Sequence, residues 1–146
     1  MSRRLTKQQL AGGVMALVSS SFALVIMSIR SWSVPTDPTR PDYSQPRFRW
    51  WDPVLIEGGN VLPMLAAIFA LIGALAVLFS LLSRRPLWVP VVAYSLAILS
   101  TIVGVLVNGA WYMTTAVLGV LFTALGMSIL LMNKPKQDSP HPPRRR

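Results

Sequence analysis

Four long apolar runs, parted by polar connections, dominate the chain. The first extends from Leu10 to Ile29, the second from about Val61 to Leu82, the third from Trp88 to Val107 and the fourth from Trp111 to Met132. None of them contains a charged side chain. About 20 apolar residues wound as a helix cross the hydrocarbon core of a bilayer, and each run is about that long. Inside lipid every backbone N–H and C=O must be bonded within the protein, so an isolated apolar run resolves as a helix. The pattern predicts an all-α integral membrane protein, a bundle of four transmembrane helices over residues 1–132.

Local signals mark the helix ends. Thr6-Lys7-Gln8-Gln9 fits a capping box, in which a threonine and a glutamine satisfy each other's exposed backbone donors. Pro63 and Pro90 fall in or near a first turn, where a missing N–H costs nothing. Asn108-Gly109 suits a helix stop and a tight turn between the last two spans. The first run is too long for a cleaved leader, and no A-x-A site follows it, so we expect it to remain as a span.

Composition agrees with this class. Hydrophobic residues make up 53% of the 146 and charged residues only 13%, against about 25% charged in soluble domains. The net charge is +9, but nucleic acid is not the partner it implies. The cations stand in short blocks between spans, as topology signals do. Arg3, Arg4 and Lys7 precede the first span, Arg84 and Arg85 part the second from the third, and Lys134, Lys136 and Arg144 to Arg146 follow the fourth. In a four-span chain these blocks share one side. The connection between the first two spans carries Arg30, Arg40, Arg47 and Arg49 with Asp37, Asp42, Asp52 and Glu57. Ten cations against four place both termini in the cytoplasm. The 29-residue loop 31–59 then faces outward. Trp32, Trp88, Trp111 and Tyr112 stand at span ends, where amphipathic rings anchor in the headgroup layer. Arginine outnumbers lysine and the cytoplasmic connections are short, so we expect a bacterial inner (plasma) membrane. Residues 133–146, "NKPKQDSPHPPRRR", read as a disordered basic cytoplasmic tail.

Helices in lipid pack through small residues, because no hydrophobic force draws them together. The sequence offers Gly12, Ala16 and Ser20 in the first span and Ala66, Ala70 and Ala74 in the second, with Gly73 adjacent. The third offers Ala93, Ala97 and Thr101, and the fourth Thr115, Gly119 and Thr123. We read these stripes as contacts within the bundle, and as a docking face for another membrane protein in second place.

There is no cysteine, so no disulfide, thiolate metal site or cysteine nucleophile. The single histidine, His141, lies in the tail. No span holds an ionisable group, the usual mark of a proton relay or ion path. No zincin motif, phosphate loop or nucleophile elbow occurs. We therefore expect no cofactor, no metal and no catalytic residue.

The most specific stretch is Arg47-Phe48-Arg49-Trp50-Trp51-Asp52-Pro53. It follows a loop stiffened by Pro35, Pro38, Pro41 and Pro46, whose course should be extended. Asp52 suits an N-cap and Pro53 a first helical position, so one short turn should follow, stopped by Gly58-Gly59. Arginine beside tryptophan suits lipid phosphates and the headgroup layer. The same residue types dominate binding hot spots in protein interfaces. Arg47, Phe48, Arg49, Trp50, Trp51 and Asp52 are thus the candidate docking residues, toward membrane lipids or another membrane protein.

The expected function is non-catalytic: an accessory, assembly or scaffolding subunit of a larger membrane complex, or a self-associating one. A small oligomeric channel or carrier, lined by hydroxyls such as Ser20, Ser95, Thr101 and Thr115, is the second reading. A lipid- or envelope-modifying enzyme using the loop acids is the third.

Overall fold

The computed structural model describes residues 5–29, 32–33, 47–50, 61–108 and 114–133. Four helices carry the fold: α1 (Lys7–Ser28), α2 (Val61–Ser83), α3 (Val89–Asn108) and α4 (Thr114–Met132). All four are long and apolar enough to cross a membrane, which makes this a multi-pass membrane protein. Their bounds agree with the apolar runs to within a turn. Trp51, Asp52 and the turn expected after them, Trp111, Tyr112, the Gly109 turn and the tail from Lys134 all lie outside the described residues.

The helices are arranged as an up-and-down bundle in which each packs chiefly on two neighbours. α1 lies between α4 and α2, and α3 completes the ring between α2 and α4. The closest pairs are α1 with α4 and α2 with α3. Short links explain the α2–α3 pair, since residues 84–88 leave no room for another partner. Glycine explains α1 with α4. A Cβ placed on Gly12 would stand 3.0 Å from the Met127 carbonyl oxygen and 3.3 Å from the Leu131 nitrogen, so the two backbones meet directly. At Gly13 the neighbours are side chains, Leu81 of α2 and Leu131 of α4.

On α1, α2 and α3 most inward positions are small and most large side chains face outward. Ala16, Ala23, Ala66, Ala70, Ala97 and Ala124 are wholly buried. On α1 the exposed stripe is Leu10, Val14, Val18, Phe22 and Val25. This inversion of a soluble core suits a solvent of acyl chains, where burying a leucine gains nothing and close backbone approach gains dispersion contacts. Three expected stripes face inward: Gly12/Ala16/Ser20, Ala66/Ala70/Ala74 and Ala93/Ala97/Thr101. The fourth does not, as described below.

Both ends of α1 are finished by specific bonds. At its start the capping box is formed: Gln9 N–H donates to Thr6 Oγ1 at 3.2 Å and Thr6 N–H to Gln9 Oε1 at 3.0 Å. Gln9 does more than the motif requires. Its Nε2 donates to the carbonyl of Asn133 at 3.1 Å, which joins the beginning of α1 to the end of α4. At the other end Trp50 N–H donates to the Met27 carbonyl at 3.1 Å. That carbonyl is one of the last four of the helix, which have no partner within it.

α2 closes with a Schellman motif. Arg85 N–H reaches the Ser80 carbonyl at 3.1 Å and Arg84 N–H the Leu81 carbonyl at 3.4 Å. The left-handed residue is Arg84, with φ of +53°. Glycine adopts this conformation freely, whereas a residue with a Cβ is disfavoured there by about 1–2 kcal/mol. Arg84→Gly is therefore expected to raise the midpoint of thermal unfolding in detergent, by a stabilisation of about 1 kcal/mol. An unchanged or lower midpoint would show that the arginine side chain offsets its own backbone strain.

Candidate functional site

The segment between α1 and α2 pairs with itself at one place and is tied to the bundle at another. Trp32–Ser33 (β1) and Arg47–Phe48 (β2) form a two-residue antiparallel ladder, with Trp32 opposite Phe48 and Ser33 opposite Arg47. No strand was expected here. A pairing this short carries no alternation that a sequence can show, since strand patterns need about four to eight residues. Two residues beyond β2, the side chain of Trp50 is fully buried and belongs to the same apolar cluster as Met27, Ile26 and Ala23. Its N–H bond to Met27 fixes the backbone at the same point. The ladder and the indole together make a strap across the end of α1.

This changes the docking expectation. Trp50 is interior, so its indole offers no surface to a partner or to lipid headgroups. Arg49, next to it, is exposed. Arg47 and Phe48 stand in β2, and their backbones serve the ladder. Of the residues expected as interfacial anchors, Trp88 is 67% exposed just before α3. Trp32 is in β1.

The small residues of α4 depart from expectation most clearly. Thr115, Gly119 and Thr123 face outward, and a Cβ placed on Gly119 would meet nothing within 4 Å. Gly126 is equally open. Gly119 is thus not a packing residue of this bundle. Val117, Leu121, Ala124, Ser128 and Leu131 take the inward face instead. The glycines that bring α1 and α4 together stand on α1: Gly12 meets the α4 backbone at Met127 and Leu131, and Gly13 receives Leu81 of α2 with Leu131 of α4 beyond it. The small residues of α4 are not used in that approach and lie on its other side. Ala116, Gly119, Thr123 and Gly126 then lie on the exposed side at spacings of three and four, with Phe122 and Ile129 as its exposed large side chains. α4 is also the span least covered by the rest of the chain.

Inside the bundle the hydroxyls are spent on their own helices. Ser20 donates to Leu17, Ser80 to Ala76, Thr101 to Ala97 and Ser128 to Ala124, each at 2.8–3.0 Å. Such back-bonding is the ordinary fate of hydroxyls in spanning helices. The residues suggested for a polar path do not converge in one bundle: Ser20 and Thr101 are buried, while Ser95, Thr115 and Thr123 are exposed. Tyr94 was not singled out by its sequence context, yet it is the largest buried polar side chain of the spans. Its ring lies flat on Gly73, and its hydroxyl lies beside Ser20 but outside hydrogen-bonding geometry. Only the meeting of α2 and α3 reveals that pairing.

No group of three histidine, cysteine or acidic side chains that could hold a metal occurs among the described residues. All five acids, Asp37, Asp42, Asp52, Glu57 and Asp138, lie outside the described residues. In comparisons with protein-family models, curated proteins and solved structures, the chain matched none of them.

Proposed function

We propose that this chain is a non-catalytic accessory or scaffolding subunit of a larger membrane assembly, in a bacterial cell membrane with both termini inside. The observation that carries the reading is the outward small-residue face of α4. A helix that is finished with its own bundle gains nothing from flat, backbone-exposing positions toward lipid, whereas a second helix could approach them closely. Arg49, exposed at the strapped end, extends the contact surface beyond the bilayer. Trp50 supports it from inside by holding the strap. Self-association through the same face is the variant of this reading in which the partner is another copy.

The test is co-purification after mild detergent extraction. A stoichiometric partner should accompany the native chain and be lost in Gly119→Leu/Gly126→Leu. Both positions have open space around them and leucine is the better helix former, so the bundle itself should unfold at an unchanged or higher temperature. A clean homo-oligomer that conducts a solute in liposomes would replace this reading by the channel one.

A further inference from the structure

Opposite the strap, the other end of the bundle gathers cations. α1 begins there with Lys7, the α2–α3 link carries Arg84 and Arg85, and α4 ends there at Asn133, held by Gln9. Lys7, Arg84 and Arg85 are all exposed, and no acid stands among the described residues. Arg4 lies three residues before Lys7, and Lys134 directly follows Asn133, so the chain enters and leaves this end with the same sign of charge.

The α2–α3 link adds a more specific arrangement. Arg84 occupies the left-handed seat of the Schellman motif, where glycine would be the stabler choice. Two large apolar side chains flank the arginine pair: Leu82 is 75% exposed and Trp88 67% exposed. Water alone is a poor environment for that group of four. A phospholipid leaflet suits each member: acyl chains cover Leu82, Trp88 sits at the interface, and guanidinium groups take phosphate oxygens in bidentate fashion. A free phosphate would satisfy the arginines and leave both apolar side chains in water. A zwitterionic headgroup carries a cation beside its phosphate, so the net attraction of this end favours an anionic lipid.

We propose that the α2–α3 link is a binding site for the headgroup of an anionic phospholipid, formed by Arg84, Arg85 and Trp88. The site is separate from the α4 face, and neither depends on the other.

Native mass spectrometry of the full chain in detergent, titrated with phosphatidylglycerol or phosphatidylcholine of matched acyl chains, tests this. The first phosphatidylglycerol should bind more tightly than phosphatidylcholine, and added salt should narrow the difference. Arg84→Gly/Arg85→Gln should weaken phosphatidylglycerol binding by about 25-fold, roughly fivefold for each charge removed, and weaken phosphatidylcholine binding less, since a cation already stands beside its phosphate. Arg84→Gly keeps the helix cap, so an unchanged or higher unfolding temperature will show that the loss is not one of folding. Equal retention of the two lipids by the native chain would overturn the proposal. So would an unchanged preference in the double variant.

Discussion

Alanine in place of Trp50 is expected to destabilise the folded chain by about 3–5 kcal/mol, the usual cost of deleting a buried large aromatic side chain. The indole is wholly buried, and no lipid can reach the vacated volume without first displacing the strap. Two linked losses should follow. The N–H bond to the Met27 carbonyl would weaken, exposing the last turn of α1, and the β1–β2 ladder would lose the anchor two residues beyond it. Unfolding in detergent, followed by circular dichroism, gives the magnitude. Amide hydrogen exchange gives the location: protection should fall at Trp32–Ser33, Arg47–Phe48 and the end of α1, and hold in the middle of α2. Phenylalanine at the same position should cost less, because it keeps an aromatic ring in the same place. An unchanged midpoint for the alanine variant would mean that the strap is held by the ladder alone.

Gly73→Ala should cost about 1–3 kcal/mol, the range for overpacking a close contact. A Cβ there would stand 2.5 Å from Cε1 and 2.7 Å from Cζ of Tyr94. The ring has no space to retreat into, since Tyr94 is fully buried. The cause can be isolated by a cycle of substitutions. In a Tyr94→Val background the contact is gone, so adding Gly73→Ala should cost nothing further and can gain from the better helix propensity of alanine, about 1 kcal/mol at most. Gly119→Ala is the internal control, because that position is open, and it should be neutral or slightly stabilising. Equal losses at Gly73 and Gly119 would show that helix propensity or lipid contact, not the Tyr94 ring, sets the outcome.

These contrasts mark where the sequence was readable. The helices follow from length and apolarity alone, since lipid leaves a long uncharged run no other way to satisfy its backbone. The capping box at Thr6 and Gln9 was legible because both partners lie within one turn. Three small-residue stripes were legible for a related reason, as spacing along one helix fixes which side chains share a face. The second role of Gln9, toward Asn133, was hidden because the acceptor is a backbone carbonyl 124 residues away. Trp50 was misplaced because its neighbours suggest an interface, and a tryptophan carries the same composition signal whether it faces headgroups or a core.

The sequence by itself determined that this chain has four helices fit to cross a membrane, where each begins and ends to within a turn, and which residue types share a face. It could not determine which face meets which helix. In lipid, small residues are equally at home against a neighbour of the same chain or against a separate protein, so a stripe in isolation has no direction. The tertiary structure decided it by complementarity. Gly12 meets the backbone of α4, Gly13 takes Leu81 of α2, Gly73 takes Tyr94, and Trp50 closes the end of the bundle. Gly119 and Gly126 are left pointing away from the bundle, because a helix has only one face to give to its own neighbours.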